Sequence, residues 1–475
     1  MLRLQCAFFY TEEENIMKMV TKSYDVVVVG AGPGGLGAAI AAARNGAKVL
    51  LVEKNGYLGG NMTIGLPLLA YLDREGKQVI GGIPDEFMKD MANYKTSYGY
   101  AASKHRYCPM HNSITLYDHE LFKIVALHKV LDAGIELLLH CEVESVNVDN
   151  KTLKSIVLIG KGYRITVEAK IFIDGTGDGD MAYLTGASYE KGQKDTGVIQ
   201  PPTMMFTLAG VDLDKTIDYL EEHPEELVPS NTIDVSSGYV PEYFRKDPNF
   251  VMVAMMGLVA KLRAEGKMPI ARENIICINS LLPGEVHMNC TRHCGTDGSD
   301  VFSLTKAEVE GYLQVEKFVE TLKENVPGFA NCYIAHIFPS LGIRESRRFS
   351  GIRRLTEEDL VKGNITDDTV GLGSYPVDIH DGDGSGTIFT KVPPYGLPYG
   401  ITVSDEIEGL MFAGRCASMD AVAMSSARVM PICMAMGEGA GVGAALAIKY
   451  GISPKDVDVQ EVRAILKNSG VMLEV

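Results

Sequence analysis

The sequence predicts an α/β protein in which a parallel sheet flanked by helices is interrupted by an inserted α+β segment. Three observations support this prediction. A β-branched apolar run at residues 24–29 leads into a glycine-rich turn, an alanine-rich stretch at 38–44 follows, and a second apolar run at 48–53 ends in Glu53. This order is that of a βαβ unit, whose strands are apolar throughout because both faces of a parallel sheet are buried.

Later segments continue the pattern. Asn45-Gly46 is typical of a helix C-terminus and is expected to end the first helix. The apolar spacing over 118–132 predicts an amphipathic helix. A buried helix rich in glycine and alanine is predicted at 430–450, and a charged helix at 306–325. Further strands are predicted at 135–139, 142–148, 154–159, 164–167 and 171–173.

Changes in composition divide the chain into five parts. The middle segment carries Pro201-Pro202 and charged helical stretches, and small apolar residues return after Pro393-Pro394. We therefore expect the chain to leave its first domain and come back to it. The predicted parts are an extension at 1–22, a first domain at 23–185, an inserted substrate or cap domain at 186–394, a returning part at 395–452 and a tail at 453–475.

Charge and cysteine content exclude several classes of protein. The 475 residues include 45 Lys and Arg against 61 Asp and Glu, a net charge of −16 that repels nucleic-acid backbones. No apolar run reaches the roughly 18–20 residues that span a bilayer. The 9 cysteines form no short disulfide framework. We expect a soluble, cytoplasmic protein that binds neither nucleic acid nor membrane.

The strongest motif lies between the first predicted strand and helix, in the order Gly30, Ala31, Gly32, Pro33, Gly34 and Gly35. Gly30 permits a tight turn, Gly32 lets the backbone approach a pyrophosphate at the helix N-terminus, and Gly35 permits close helix–sheet packing. Glu53, at the end of the next strand, is placed to accept hydrogen bonds from the hydroxyls of a ribose. The motif predicts a dinucleotide site.

The residues after Glu53 indicate which dinucleotide. Lys54 follows it directly, and Gly59-Gly60-Asn61 comes five residues later. This spacing resembles the FAD fingerprint of the glutathione-reductase superfamily, in particular the branch with succinate dehydrogenases and fumarate reductases. The segments at 171–178 and 409–415 resemble the superfamily's later cofactor contacts. The resemblance implies that FAD also contacts Val143, Thr176, Gly177, Asp178, Gly414 and Arg415.

Three more segments, at 343–348, 378–380 and 428–431, resemble the generic bacterial family of FAD-dependent oxidoreductases. The resemblance covers roughly residues 24–450. It implies a Rossmann-like FAD domain of the glutathione-reductase type, interrupted by a substrate domain. It does not imply a particular substrate.

Several absences narrow the chemistry. The chain has Asn61-Met62 where disulfide reductases of the superfamily place redox cysteines, and no histidine occurs between Gly59 and His105 to bond a flavin covalently. We therefore predict dissociable FAD. The glycines at 437–443 lack a preceding strand, so helix packing explains them better than a second nucleotide motif does.

Two possible metal motifs are weak. Cys290 and Cys294, with His287 nearby, lack the paired Cys-x-x-Cys spacing of strong zinc or iron–sulfur sites. The acidic loop at 381–392 starts like a calcium loop but carries Val392 at its twelfth position. We predict no metal.

Three residues are candidates for catalysis. Arg347, in an arginine-rich segment, would clamp a carboxylate or stabilise an enolate, against the alternative of a structural ion pair. His380 would move a proton near neutral pH, against the alternative of a solvated loop histidine. If the resemblance holds, Arg428 would lie near the flavin pyrimidine edge; the alternative is a surface arginine at a helix N-terminus.

Two functions follow from these features. The first is hydride transfer between non-covalent FAD and a small organic substrate. The second is a flavin subunit that exchanges electrons with a separate reductase or ferredoxin-like partner, since no second dinucleotide motif is present. A third, non-redox alternative keeps FAD as a structural element. Oligomeric state is not predicted.

Overall fold

The computed structural model describes residues 17–227, 239–382 and 386–475. Asp383 and Ser385 of the acidic loop lie outside the described residues. The strands are β1 (Lys18–Val29), β2 (Val49–Glu53), β3 (Leu68–Leu69), β4 (Lys95–Thr96), β5 (Gly99–Tyr100), β6 (Arg106–Cys108), β7 (Asn112–Thr115), β8 (Glu136–Leu139), β9 (Glu142–Asp149), β10 (Thr152–Gly160), β11 (Tyr163–Asp174), β12 (Tyr189–Glu190), β13 (Phe206–Ala209), β14 (Val251–Ala254), β15 (Ile275–Asn279), β16 (Glu285–Met288), β17 (Tyr333–Ile337), β18 (Arg348–Phe349), β19 (Thr369–Gly373), β20 (Val377–His380), β21 (Thr387–Thr390), β22 (Tyr395–Pro398) and β23 (Leu410–Phe412). The helices are α1 (Pro33–Arg44), α2 (Gly82–Asn93), α3 (His119–Asp132), α4 (Asp180–Leu184), α5 (Leu213–Glu222), α6 (Pro241–Lys246), α7 (Met256–Ala264), α8 (Val301–Asn325), α9 (Glu357–Lys362), α10 (Ala421–Ala427), α11 (Met430–Tyr450) and α12 (Val459–Asn468).

The central sheet has the strand order β8-β2-β1-β11-β10-β9, and β23 pairs with the end of β11. Strands β8, β2, β1, β11 and β23 run parallel, whereas β10 and β9 join as antiparallel neighbours. Val28 pairs with Leu51 on one side and with Ile173 on the other, and all three are fully buried. The predicted α/β fold and its βαβ unit are confirmed.

Two details differ from the sequence prediction. The separate strands expected at 164–167 and 171–173 are one strand, β11, because β1 provides a hydrogen-bonding partner along its whole length. Residues Lys18–Lys22, expected in the extension, begin β1 and pair with residues 163–167. In both cases the pairing of β1 with β11 extends through polar residues, and the hydrophobic pattern did not identify these residues as parts of a strand.

Helices α1 and α11 cross with their backbones in contact. A Cβ added at Gly37 would lie 2.3 Å from the Met434 carbonyl oxygen, and one at Gly441 would lie 2.2 Å from that of Ala38. The helix-packing interpretation of the late glycines is therefore confirmed. Contrary to the expectation from the sequence that no apolar run is long enough to span a bilayer, α11 has that length and apolarity, alone among the described helices. Of its most apolar stretch, 94% is buried in the protein.

A second hydrophobic core lies in the middle of the chain. A sheet of order β14-β15-β16-β13-β17 packs with α8, and buried residues between Met204 and Leu341 form this core. The first core draws on residues 24–187 and then on 349–473. The chain thus leaves one core and returns to it, while the domain boundaries expected at 185–186 and 394–395 stay predictions.

Candidate functional site

The glycine turn joins β1 to α1 and is closed by backbone on its inner sides. Gly30 has φ +93°, and a Cβ there would lie 2.5 Å from the Gly175 carbonyl oxygen. A Cβ at Gly35 would lie 1.8 Å from the Gly30 carbonyl oxygen, and one at Gly34 2.5 Å from that of Ala413. These positions exclude any larger residue.

Gly32 differs from its neighbours because its Cβ position is open. The nearest atom that a Cβ would meet is the Gly175 carbonyl oxygen, 4.0 Å away. Gly32 is the N-cap of α1 and supplies no side chain for the first N–H groups of the helix, which have no partner inside the helix. The open space in front of these donors fits an anionic pyrophosphate.

Glu53 joins the turn to the strand beside it. Its Oε2 accepts a hydrogen bond from the Ala31 N–H at 2.8 Å, and its Oε1 accepts from the N–H and Nδ2 of Asn55, each at 2.9 Å. The carboxylate is 6% exposed. Each carboxylate oxygen offers two lone pairs, so Oε1 is fully used and Oε2 retains one for a ribose hydroxyl. The adjacent Lys54 is exposed.

The second glycine pair lies against the first turn. The Gly59 N–H donates to the Ala31 carbonyl at 2.8 Å, and a Cβ at Gly60 would lie 2.9 Å from the Gly32 Cα. Asn61 follows in a short 3₁₀ helix, Gly60–Thr63. The Gly30–Gly35 turn and the Gly59–Gly60 pair, which both carry predicted cofactor contacts, therefore meet at Gly32.

A third segment follows β11. The Asp174 carboxylate accepts from the Thr176 N–H and hydroxyl at 3.0 and 2.7 Å and from the Ala182 N–H at 2.8 Å. Burial raises the pKa of Asp174 to about 6. This carboxyl shapes the turn that presents Gly177, which has φ +83°. Val143 lies in β9, two residues beyond Cys141, whose N–H donates to the Glu53 carbonyl at 3.2 Å.

The late turn after β23 meets this third segment. Arg415 Nη2 donates to Asp178 Oδ1 at 2.8 Å, and Arg415 Nη1 donates to the Ser346 hydroxyl at 2.8 Å. A Cβ at Gly177 would lie 3.0 Å from Arg415 Nη2, and Gly414 has φ +94°. The structure therefore brings the two turns together and pairs their side chains with each other.

The three catalytic candidates occupy different surroundings. Arg347 donates to the carbonyls of Asp178 and Ser299 at 3.0 and 3.1 Å and to Asp180 Oδ1 at 3.0 Å. Its guanidinium also stacks 4.3 Å from the Tyr183 ring centroid. Through these contacts Arg347 connects α4 to the segment before α8. This is the structural ion pair that was considered as the alternative to catalysis.

His380 is the last residue of β20 and is 8% exposed, so it is not the solvated loop histidine considered from the sequence. Its Nδ1 lies 3.3 Å from Arg292 Nη2, which can only donate, so Nδ1 carries no proton. Its Nε2 lies 3.3 Å from Asp378 Oδ1. Burial lowers the pKa of His380 to about 3, and the imidazole is neutral at pH 7.

Arg428 lies between α10 and α11 and contacts the same carboxylate. Its Nη2 donates to the Asp378 carbonyl at 3.0 Å and to Oδ2 at 3.3 Å. Burial alone would raise the pKa of Asp378, but His380 and the guanidiniums of Arg428 and Arg344 hold it below its ordinary range. Asp378 is therefore ionised and contacts two of the three catalytic candidates, His380 and Arg428. Sequence spacing did not reveal this connection.

A cavity of about 390 Å³ opens beside Asp378 and His380. This volume is in the range of small-molecule sites. Its walls are apolar and come from several elements: Leu66, Leu69, Val251, Ile276, Ile278 and Phe389. One part of the lining is polar and consists of His111, Arg272, Glu273, Asn274, Asn289, Asp378, His380 and Thr387. Arg428 contacts this lining through Asp378, whereas Arg347 is not part of it.

The cavity is close to the second glycine pair along the chain. Leu66 lies three residues after Thr63, the end of the 3₁₀ helix that starts at Gly60. Three extended residues span at most about 11 Å. The cavity therefore begins within about 11 Å of the end of the Gly60–Thr63 helix, whose first residue contacts Gly32.

The weak metal motif has an ordinary structural explanation. The Cys290 thiol donates to the Ile276 carbonyl at 3.3 Å, and His287 Nδ1 lies 2.8 Å from the Thr207 hydroxyl. In the described part of the chain, no three His, Cys, Asp or Glu side chains group as metal ligands.

A parallel sheet with an open glycine turn at a helix N-terminus and a nearby substrate-sized cavity define a dinucleotide-binding enzyme of the Rossmann type. A family model described as "FAD dependent oxidoreductase" matches residues 25–466. The chain belongs to the family of FAD-dependent oxidoreductases. FAD is its cofactor, which agrees with the fit of the turn.

Curated relatives match only part of the chain. Thiamine thiazole synthase of Aeropyrum pernix is 61% identical over 41 residues, which are 9% of this chain and 15% of that protein. Dihydrolipoyl dehydrogenase 2, mitochondrial, of Arabidopsis thaliana is 26% identical over 188 residues, 29% of this chain and 36% of that protein. The matches thus span well under two thirds of these relatives.

A solved geranylgeranyl bacteriochlorophyll reductase-like protein of Thermoplasma acidophilum aligns with 95% of this chain and 85% of its own, at 15% identity and a TM-score of 0.44. A myxobacterial chondrochloren halogenase aligns with 94% of this chain and 78% of its own, at 11% identity and a TM-score of 0.45. Neither similarity bears on the reaction.

Proposed function

We propose that this protein transfers hydride between non-covalently bound FAD and a small organic molecule held in the cavity beside Asp378. The observation that supports the proposal is the position of the cavity, which starts three residues beyond the Gly60–Thr63 helix. The amides of the Gly30–Gly35 turn would bind the pyrophosphate, and Glu53 would accept from the ribose while it anchors the turn. Thr176, Gly177, Asp178, Gly414 and Arg415 would line the remainder of the cofactor groove.

Bound FAD supplies a ring that accepts or donates hydride, and the protein orients the reacting carbon and controls its proton. The apolar walls exclude water from the substrate body, which strengthens polar contacts at the other end. Asp378 stays ionised and orients the neutral His380 by accepting its Nε2–H. Because the pKa of His380 is lowered to about 3, we propose that it acts as a hydrogen-bonding residue and does not change charge near neutral pH.

The proposal is tested by anaerobic spectroscopy of the purified holoprotein. A panel of alcohols, aldehydes, enoates and hydroxy acids is mixed with the oxidised or reduced protein, and the flavin absorbance is followed. We expect at least one small molecule to bleach or restore the flavin band. A holoprotein that binds FAD but exchanges electrons with no member of the panel contradicts the proposal.

An alternative is a flavin subunit that works with a reductase or ferredoxin-like protein. It is favoured by the location of the late glycines, because Gly437 and Gly441 lie inside α11 against α1 and leave no second nucleotide turn there. Electrons would then come from the substrate or from a partner. Full turnover by the isolated chain contradicts this alternative, whereas turnover that requires added ferredoxin supports it.

We further propose that the protein belongs to the glutathione-reductase superfamily branch with succinate dehydrogenases, as Gly59-Gly60 suggests, and that it works in the cytoplasm. Support for the second point comes from the cysteines, since seven that are buried form no disulfide: Cys108, Cys141, Cys277, Cys290, Cys332, Cys416 and Cys433. A reducing compartment is the ordinary setting for such thiols.

A further inference from the structure

Arg272 is a buried cation with unmet hydrogen-bonding capacity. Its side chain is 2% exposed and lines the polar part of the cavity. Its Nη2 donates to Asn274 Oδ1 at 3.3 Å, while Nε and Nη1 have no hydrogen-bond partner among the described residues. Burial lowers the pKa of Arg272 to about 10, so the guanidinium remains charged at pH 7. A buried charge left in this state is costly unless a ligand satisfies it.

Arg344 lies behind the same part of the lining. It donates to the Pro201 carbonyl at 2.6 Å, to the Thr203 hydroxyl at 2.5 Å and to Asn289 Oδ1 at 3.3 Å, and all three are neutral acceptors. In the described regions neither Arg272 nor Arg344 has a carboxylate within ion-pair distance. Arg272 in the cavity lining and Arg344 behind it therefore lack an ion-pair partner in the described regions, while the Asp378 carboxylate of the same lining pairs with Arg428.

Asn289 connects the second guanidinium to the cavity. Its Oδ1 accepts from Arg344, so its NH₂ group is the part that remains available as a donor to a ligand. The opposite walls, formed by Leu66, Val251 and Ile276 among others, offer no charge. The cavity thus combines an apolar body with one polar end. There the carboxylates of Glu273 and Asp378 already pair with Arg292 and Arg428, whereas Arg272 has no ion-pair partner among the described residues.

We propose that this cavity selects a substrate with an apolar body and a single terminal carboxylate, held by Arg272 and Asn289. A planar guanidinium with free donors matches a carboxylate, which accepts two hydrogen bonds side by side. The inference deepens the proposed function and rests on the cavity being its substrate site. A neutral analogue of the same shape should bind more weakly, because four guanidiniums surround only two carboxylates at this end: Arg272, Arg292, Arg344 and Arg428 against Glu273 and Asp378.

The test measures binding by calorimetry to the FAD-loaded protein. Octanoate and 4-phenylbutyrate are compared with octanamide and 4-phenylbutanamide, which keep the shape and lack the charge. We expect each carboxylate to bind at least about 30-fold more tightly than its amide, because the amide leaves the guanidinium uncompensated. Equal affinities of acid and amide overturn the proposal.

The variant Arg272→Met distinguishes between two roles of Arg272, binding of the ligand carboxylate and stabilisation of the fold. We expect it to lose the preference for the carboxylate and, without ligand, to raise Tm by about 1–4 °C, because an unsatisfied buried charge has been removed. Arg354→Gln, at an exposed arginine paired with Glu190, is the matched control and should leave both quantities unchanged. A fall in Tm with unchanged carboxylate preference overturns the assignment of Arg272.

Failure of the carboxylate-site proposal can be distinguished from failure of the proposed function. FAD binding and flavin reduction are followed by absorbance in the same preparation. If the protein exchanges electrons with neutral compounds and does not bind carboxylates, the proposed function stands and the carboxylate site is refuted. If the protein binds the two acids but exchanges electrons with no compound of the panel, the proposed function is refuted and the carboxylate site stands.

Discussion

The Glu53 carboxylate accepts a hydrogen bond from the Ala31 backbone N–H at 2.8 Å, across 22 residues of sequence. This bond connects the end of β2 to the turn at the start of α1. It fixes the turn, and the one lone pair left on Oε2 is predicted to accept from the ribose of a dinucleotide. One side chain thus both shapes the cofactor site and is predicted to contact the cofactor.

Replacing Glu53 should therefore weaken FAD binding. We expect Glu53→Ala to raise the Kd of FAD about 10- to 100-fold, because the Ala31 N–H loses its acceptor and the ribose loses a partner. Glu53→Gln, which keeps one acceptor oxygen, should have a smaller effect. Quenching of flavin fluorescence on titration into apoprotein measures the Kd. The exposed Glu474→Ala is the control, and an equal loss in both variants would refute the assignment.

Gly32 and Gly35 should respond in opposite ways to an added methyl group. Gly32→Ala is expected to fold with nearly unchanged Tm, since its Cβ meets no atom nearer than 4.0 Å, but to bind FAD more weakly. Gly35→Ala is expected to lose stability outright, because its Cβ would lie 1.8 Å from the Gly30 carbonyl oxygen. Thermal unfolding of the apoproteins and FAD titration separate the two effects. Normal FAD affinity in Gly32→Ala would contradict a pyrophosphate at this position.

Arg347 is expected to contribute to stability more than to the reaction. Arg347→Met removes hydrogen bonds to two carbonyls and to Asp180, and we expect a loss of about 2 kcal/mol in the free energy of unfolding. The rate of flavin reduction in the folded variant should change little. Chemical denaturation and stopped-flow absorbance give the two quantities. A large fall in rate with unchanged stability would instead support the catalytic role first predicted for Arg347.

Glu438 should make the protein less stable as pH rises. It is 2% exposed in α11, and burial raises its pKa from 4.5 to about 8. The folded state therefore holds a proton that the unfolded state has lost between these pH values, and stability falls through this window by on the order of 3–5 kcal/mol. Glu438→Gln keeps an acceptor for the Ile83 N–H and should flatten the profile. Urea denaturation at pH 5 and pH 8.5 measures this. A parallel pH dependence in Glu438→Gln and wild type would contradict it.

Buried histidines should act in the opposite direction at low pH. Burial lowers the pKa of His111, His119 and His293 to about 4 and that of His380 to about 3. The unfolded state binds protons first as pH falls below 6.5, so each histidine removes roughly 1–2 kcal/mol of stability by pH 5. We expect the urea midpoint to drop between pH 6.5 and 5. His119→Gln should reduce that drop, and the exposed His223→Gln should not.

The cofactor turn was predictable because it depends on local sequence. Gly30, Gly32 and Gly35 are each required by backbone geometry within one βαβ unit, and a strand and helix of ordinary pattern flank them. The glycines at 437–443 were also predicted to serve helix packing, but their partner, α1, was not predictable because it lies far away in sequence. The fold class followed from these local patterns.

The cavity was not predictable because its polar residues come from distant segments. Arg272 lies just before β15, Asn289 just after β16 and Asp378 in β20. No motif marks Arg272, and beside Asn289 the sequence marked only the weak metal motif of His287, Cys290 and Cys294. Only tertiary packing shows that Nε and Nη1 of Arg272 lack a hydrogen-bond partner within the described part of the chain. The burial of His380 was missed for a related reason, since its polar neighbours in sequence suggested a solvated loop.

The most direct test of the account compares FAD, FMN and riboflavin as ligands of the apoprotein. Only FAD carries the pyrophosphate expected at Gly32 and the adenosine ribose expected at Glu53. Titration followed by flavin fluorescence should therefore give a Kd for FAD at least about 100-fold lower than for FMN, with riboflavin weaker still. Equal affinity for FAD and FMN, or no binding of FAD by folded protein, would contradict the central claim that the turn before α1 binds the dinucleotide.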